Sequence, residues 1–340
     1  MKYKLLGRSG LRVSELCLGT MGFGKDWNWG ADYETSKEVF EMFVEAGGNF
    51  IDTANLYTNG TSEKYLGEFM AGSRDAYVLA TKYTLSDTRS NTNVNGAGNS
   101  RKNMMRSVEA SLKRLNTDYI DLFYIHAWDS LTPVEEVMRG LDDLVSQGKI
   151  NYIGFSDTPA WVISSAQIMA EWKGWSKIVA LQIEYSLIQR SPERELIPMA
   201  SHFGMSLVPW APLAGGALTG KYLKGEKGRL PETSARLNEK NTWIVTEVIS
   251  IADELNCDAS SVALQWMIQG HKDCIPLVGA TKPLQLKENL KCLDIKLSDE
   301  HLKRLNEISH IDLGFPHDFL LAEGTREVIY GGFDHRIIHR

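Results

Sequence analysis

Three residues interrupt segments that should be apolar, and with a nearby tyrosine they could move a proton. Asp52 sits in Asn-Phe-Ile-Asp-Thr-Ala, Lys82 ends Tyr-Val-Leu-Ala-Thr-Lys, and His126 ends Ile-Asp-Leu-Phe-Tyr-Ile-His. Tyr57 follows the first of these segments by a few residues. A phenol with its ordinary pKa of about 10 is a poor acid near neutrality, and a buried ammonium beside it would stabilise the phenolate. A carboxylate would keep that ammonium charged where burial alone would neutralise it. An imidazole could orient a substrate oxygen. Singly, an Asp in a strand or a His at its end is more often structural. Their value depends on convergence.

The elements that could bring them together are legible as period. Short apolar runs span Glu15–Gly19, Asn49–Thr53, Tyr77–Lys82, Ile120–His126, Tyr152–Phe155, Ile178–Ile183, Ser206–Trp210 and Cys274–Val278. Helical patterns lie between them over Thr35–Glu45, Ser62–Met70, Lys102–Leu115, Val134–Gln147, Ala160–Glu171, Glu193–Phe203 and Trp243–Leu255. Strands apolar on both faces and alternating with helices predict a parallel sheet covered by helices. A doubly wound sheet would want a Gly-rich turn opening a helix after an early strand, and Leu18–Gly24 opens none. The expectation is an α/β fold, an eight-stranded (β/α)8 TIM barrel forming one domain over 1–340. Its final segment, 311–340, reads as irregular. In a barrel, the strands carrying Asp52, Lys82 and His126 are second, third and fourth, so their C-terminal ends adjoin at the face where such barrels place active sites. Two polar loops, Ser86–Ser100 and Gly225–Lys240, are expected on that face.

Composition narrows the class. The 340 residues hold 37 Lys plus Arg against 43 Asp plus Glu, a net charge of −6 with a pI near 5.8. That balance argues against nucleic acid or an anionic membrane as partner, since both attract basic surfaces. The N-terminus has no signal-like apolar core, and no run is long enough to span a bilayer. Cys17, Cys257, Cys274 and Cys292 show no CxxC or CxxH spacing, so no metal site is expected and a reducing, cytoplasmic setting is. No partner protein is evident.

The motifs Gly47–Tyr57 (Gly-Gly-Asn-Phe-Ile-Asp-Thr-Ala-Asn-Leu-Tyr), Leu79–Lys82 and Ile120–His126 resemble the aldo-keto reductase superfamily, in particular its bacterial branch with the potassium-channel β-subunit relatives. The resemblance runs from Tyr3 to about Gly331. It implies Tyr57 as general acid/base, Lys82 and Asp52 as the pair that tunes it, and His126 as the group orienting the carbonyl. It also implies a nicotinamide cofactor. Gly19 and Thr20 would lie by the nicotinamide ribose, Ser156, Asp157 and Gln182 by the carboxamide, and Trp210 on the nicotinamide ring. Asp157 stands where an Asn is common. Ala211, Pro212, Leu213, Gly215 and Lys221 would follow the pyrophosphate, and Gly279, Thr281, Lys282, Gln285, Glu288 and Asn289 the adenosine phosphate. Lys282 favours NADPH, with NADH as the alternative because Thr281 replaces a frequent Arg.

Trp27, Trp29 and Trp128 on loops suggest an apolar or sugar-like substrate surface. The expected activity is reduction of a small-molecule aldehyde or ketone by NAD(P)H. Two alternatives stay open: a dehydrogenase of a sugar or polyol, and a cofactor-binding regulatory subunit.

Overall fold

Inward and outward residues alternate along every long apolar run, and this alternation builds the barrel. The computed structural model describes residues 1–86 and 93–338, so residues 87–92 of the expected Ser86–Ser100 loop lie outside the described residues. Strands β1 (Tyr3–Leu5) and β2 (Arg12–Ser14) form an antiparallel hairpin. Eight parallel strands follow: β3 (Cys17–Gly19), β4 (Phe50–Asp52), β5 (Val78–Tyr83), β6 (Ile120–Ile125), β7 (Ile150–Ser156), β8 (Ile178–Glu184), β9 (Ser206–Trp210) and β10 (Leu277–Gly279). Each pairs with the next through β9, and β10 pairs with β3. A parallel bridge between Leu207 and Cys274 draws the last gap together, giving a nearly closed (β/α)8 barrel.

Side chains of a strand point alternately to its two faces. Cys17, Phe50, Ala80, Leu122, Tyr124, Ala180 and Val208 share the interior cluster, with Leu6 and Val13 of the hairpin region. Leu18, Ile51, Leu79, Phe123, Ile125, Leu181 and Leu207 join the larger cluster beneath the helices. Gly154 leaves space for the Tyr124 ring: a Cβ there would lie 2.3 Å from it. One period above the interior residues stand Gly19, Asp52, Lys82, His126, Ser156, Gln182 and Trp210. The apolar interior thus ends in a polar layer at the C-terminal mouth.

The outer ring comprises α1 (Tyr33–Glu45), α2 (Thr61–Phe69), α3 (Arg101–Leu115), α4 (Val134–Ser146), α5 (Ala160–Lys173), α6 (Leu196–Phe203), α7 (Glu239–Glu254), α8 (Ala259–Gly270), α9 (Pro283–Leu290) and α10 (Asp299–Ile308). The sequence patterns do not mark α8, because Ser260 through Met267 are all buried and no polar face sets a period. The segment expected to be irregular, 311–340, contains two short helices, α11 (His317–Leu321) and α12 (Glu323–Ile329). Neither buries a residue, so neither carries the apolar stripe by which a helix is recognised. Among the described residues, no helix is long and apolar enough to cross a membrane.

Candidate active site

Lys82 is the hub of the mouth. Its Nζ donates to Asp52 Oδ1 at 2.5 Å, to the Thr53 carbonyl at 2.8 Å and to the Tyr57 hydroxyl at 3.3 Å. Asp52 and Lys82 are 1% and 0% exposed, so neither charge can be left to water. Gln182 Nε2 donates to the second Asp52 oxygen at 2.9 Å. Burial pulls the Lys82 pKa down, but Asp52 and Tyr57 outweigh it and the net direction is up, so the ammonium stays charged. Burial pushes Asp52 up, with Lys82 and Gln182 opposing.

Tyr57 is delivered by a strained turn. Thr58 and Asn59 both have left-handed backbones (φ 46° and 55°), and Thr58 is held by a 2.6 Å bond from its hydroxyl to the Phe23 carbonyl. A β-branched residue there is costly and persists only where the surroundings fix it. From the sequence, Lys82 is expected to lower the phenol pKa. The net direction is the reverse: burial pushes Tyr57 up and Lys82 only partly offsets it. Tyr57 is therefore protonated in this state, as a proton donor must be.

The His126 ring lies edge-on to Tyr57, with centroids 5.8 Å apart. Burial, reinforced by the Lys82 charge, drives its pKa well below the ordinary value. The neutral ring keeps a buried Nδ1 without a hydrogen-bond partner. The four expected residues thus converge at one point, and the arrangement can protonate an oxygen placed between Tyr57 and His126.

The expected cofactor residues divide by availability. Ser156 Oγ is buried and unpartnered at the end of β7. Asp157, with a left-handed φ of 39°, accepts from Trp210 Nε1 at 3.0 Å, and its pKa is raised by burial against that bond and Lys82. Gly19 pairs with Gly279 across β3 and β10. Gly215 and Gly216 adopt φ of 70° and 92°, left-handed turns that favour glycine in the Ala211–Lys221 loop. Lys221 lies beside Gly216. Lys282 is exposed at the start of α9, with Glu288 half-buried and Asn289 buried further along.

Three expected contacts already have partners inside the protein. The Thr20 hydroxyl donates to the Asp52 carbonyl at 2.9 Å, and the Gln182 amide serves Asp52. Gln285 likewise accepts from the Thr281 N–H at 3.0 Å. The orphaned Ser156 hydroxyl, the glycine turn and the two lysines suit an extended phosphorylated nicotinamide cofactor. Among the described residues, no cluster could hold a metal ion.

Of the three loop tryptophans, two make ring contacts that lead from Tyr57. Trp27 lies edge-on to Tyr57 at 6.4 Å, and Trp29 adjoins Trp27 at 6.0 Å. Trp128 is half-buried against the outer core and makes no ring contact with Tyr57 or His126 among the described residues. Asn55 is missed by the sequence argument. It is buried with Oδ1 unpartnered, its Nδ2 donating to the Leu85 carbonyl at 3.2 Å, and an Asn inside the Asp52–Tyr57 motif is the signal that could have found it.

Comparison with known proteins fits this geometry. A family model described as the aldo/keto reductase family matches residues 15–310. Norsolorinic acid reductase of Aspergillus flavus is 38% identical over 330 residues, covering 95% of this chain and 84% of its own length. An aryl-alcohol dehydrogenase [NADP(+)] of Phanerodontia chrysosporium is 38% identical over 352 residues, covering 97% and 89%. A putative aryl-alcohol dehydrogenase of Saccharomyces cerevisiae is 37% identical over 328 residues, covering 92% and 87%. These relatives are fungal and give no support to the expected bacterial branch beside channel β-subunits. The motifs that carried that expectation build the proton-transfer site, which branches share, whereas loops distinguish branches. The chain belongs to the aldo/keto reductase family and is an oxidoreductase that reduces carbonyl groups with a nicotinamide cofactor.

Proposed function

We propose that this enzyme reduces aromatic aldehydes or ketones with NADPH, Tyr57 supplying the proton. The observation that carries this reading is the convergence of Tyr57, Lys82, Asp52 and His126 beside an aromatic wall of Trp27 and Trp29. The name of the Phanerodontia relative, an NADP(+)-dependent aryl-alcohol dehydrogenase, supports both the cofactor and the aromatic substrate.

The bound cofactor supplies the hydride. The chain's own work is to place and protonate the oxygen. Neutral His126 fixes the carbonyl oxygen by one hydrogen bond, next to the Tyr57 hydroxyl. As negative charge grows on that oxygen, the Tyr57 proton crosses to it, because an alkoxide is a much stronger base than a phenolate. The Lys82 ammonium stabilises the phenolate that remains, and Asp52 with Gln182 holds the ammonium in place. Ser156 and Asp157 are the groups proposed to set which ring face meets the substrate, with Trp210 stacked on it. Lys221 is proposed to meet the pyrophosphate and Lys282 the 2′-phosphate.

Loss of NADPH absorbance with benzaldehyde and 2-naphthaldehyde tests the reading, with glucose and xylose as the sugar arm. Faster turnover of the aromatic pair with NADPH than with NADH is expected. Turnover confined to sugars, or none with any carbonyl, would overturn it.

A further inference from the structure

We propose that Arg229 forms an anion-recognition subsite at the rim of the substrate cleft, selecting aromatic carbonyl compounds with an acidic group remote from the reacting carbon. The inference rests on the reductase reading above and narrows its substrate class. From Tyr57 the aromatic wall runs outward through Trp27 to Trp29. The Arg229 guanidinium stands over the Trp29 ring, 4.6 Å from its centroid. A flat molecule with its oxygen at Tyr57 and its rings along the two indoles therefore ends at a cation.

Arg229 is held in that position by its neighbours. The Leu230 N–H donates to the Tyr222 hydroxyl at 2.9 Å. Gly228 packs so close to that hydroxyl that a Cβ would lie 2.4 Å from it. The residue between these two has little freedom to leave, although it belongs to a long polar loop.

Its charge is also uncompensated. Arg236, the neighbouring arginine of the loop, is paired with Glu184. Among the described residues, Arg229 makes no ion pair. Partial burial and the like charge of Arg236 push its pKa down, with Tyr222 and Tyr57 opposing. A guanidinium stacked on an indole still presents its in-plane N–H fork, which matches a carboxylate. The cofactor's phosphates have other cations at hand. Lys221 lies against Gly216 and Arg236 against Gly215, whereas Arg229 leans away onto Trp29.

The test is calorimetric binding of 2-naphthoate and its neutral counterpart 2-naphthamide to the wild type, Arg229→Gln and Arg229→Lys. Arg229 is exposed, so a bond to its charge is discounted for screening, and naphthoate should bind about fivefold to tenfold tighter than the amide to the wild type. Arg229→Gln should bring that ratio close to one, and Arg229→Lys should keep part of it, while NADPH affinity is retained. With 6-formyl-2-naphthoate and its methyl ester as substrates, the acid-to-ester ratio of kcat/KM should collapse in the same way. A wild-type ratio near one, a ratio unmoved in Arg229→Gln, or a loss of NADPH affinity in its place would each overturn the subsite. Binding is read apart from turnover. Carbonyl reduction without an Arg229-dependent preference therefore sinks the subsite alone, and the preference without carbonyl reduction sinks the reductase reading alone.

Discussion

The mouth of the barrel and the segment proposed for the adenosine phosphate handle charge in opposite ways. At the mouth, Lys82 is fully buried and gives three hydrogen bonds to groups on or just after β4. On α9, Lys282 is exposed and makes no ion pair among the described residues, and its neighbour Gln285 is occupied by Thr281. The difference follows from the tasks. Shifting a proton needs charges held in a desolvated frame, where each partner strongly affects the others. Gripping a phosphate at the surface needs only a cation that water screens and that can swing to meet its ligand. Changes at the mouth should therefore be large and interdependent, and changes on α9 small and separable.

The largest effect is expected at Tyr57. Tyr57→Phe removes one hydroxyl and leaves the ring against Trp27 and His126. Turnover should fall by about 10²–10⁴-fold, with cofactor affinity nearly unchanged. Near-normal turnover in a variant that still binds NADPH would remove Tyr57 as the acid and make His126 the first suspect.

Lys82→Met should damage turnover comparably by another route, since the phenolate loses the cation bonded to it. It should also cost about 3–5 kcal/mol of stability in urea denaturation, because Asp52 would remain buried with Gln182 as its one side-chain partner. In the double variant with Tyr57→Phe, turnover should fall little further than in either single one, as both act on the same proton. Fully multiplicative losses would show the two to be independent and break the picture of one interdependent frame.

On the exposed side, Lys282→Ala should weaken NADPH by about fivefold to tenfold and leave NADH unchanged, the bond to a charged group being discounted for screening. Fluorescence titration with both cofactors measures this. Equal losses would mean that Lys282 does not meet the 2′-phosphate.

The same contrast explains what the sequence could disclose. Asp52, Lys82 and His126 are conspicuous because each is polar at an inward position of a strand whose other inward residues are apolar, and a strict period of two exposes the exception. The eight barrel strands are legible as short apolar runs between helical patterns, with ends displaced by up to three residues, the largest shift being Cys274 against Leu277 at the start of β10. The turn of Tyr57 is less so, because left-handed Thr58 and Asn59 leave no compositional trace. Arg229 carries no signal: a Gly-Arg-Leu in a polar loop gains meaning only when Tyr222 pins it over Trp29. The raised pKa of Tyr57 was likewise out of reach, since the sequence supplies the cation but not the depth of burial that outweighs it. The hairpin β1–β2 and helix α8 were missed for opposite reasons, the first too short to show a period and the second buried on too many faces.

An effect of similar size to that of Lys282→Ala is expected in the pH dependence of stability, to which the mouth contributes through His126. His126 is held neutral in the fold, its pKa pushed well below the ordinary value by burial and by Lys82. In the unfolded chain it should titrate near its reference value of about 6.5. Above that pH neither state binds the proton, and the fold keeps the full benefit of the buried ring. Below it the unfolded chain takes up a proton that the folded one refuses, so stability falls as pH drops, by about 1.4 kcal/mol per unit. His271, whose pKa burial also lowers, pulls in the same direction and must be subtracted. His126→Asn does that, since His271 is present in both proteins. Relative to this variant, the wild type should lose about 1.4 kcal/mol between pH 7.5 and pH 5.5 in urea denaturation. Lys282→Ala should follow the wild type throughout that window, because it leaves both buried histidines in place. A wild type that tracks His126→Asn across the range would mean that folded His126 takes up its proton as readily as the unfolded chain does, and the carbonyl would meet an imidazolium below about pH 6.5.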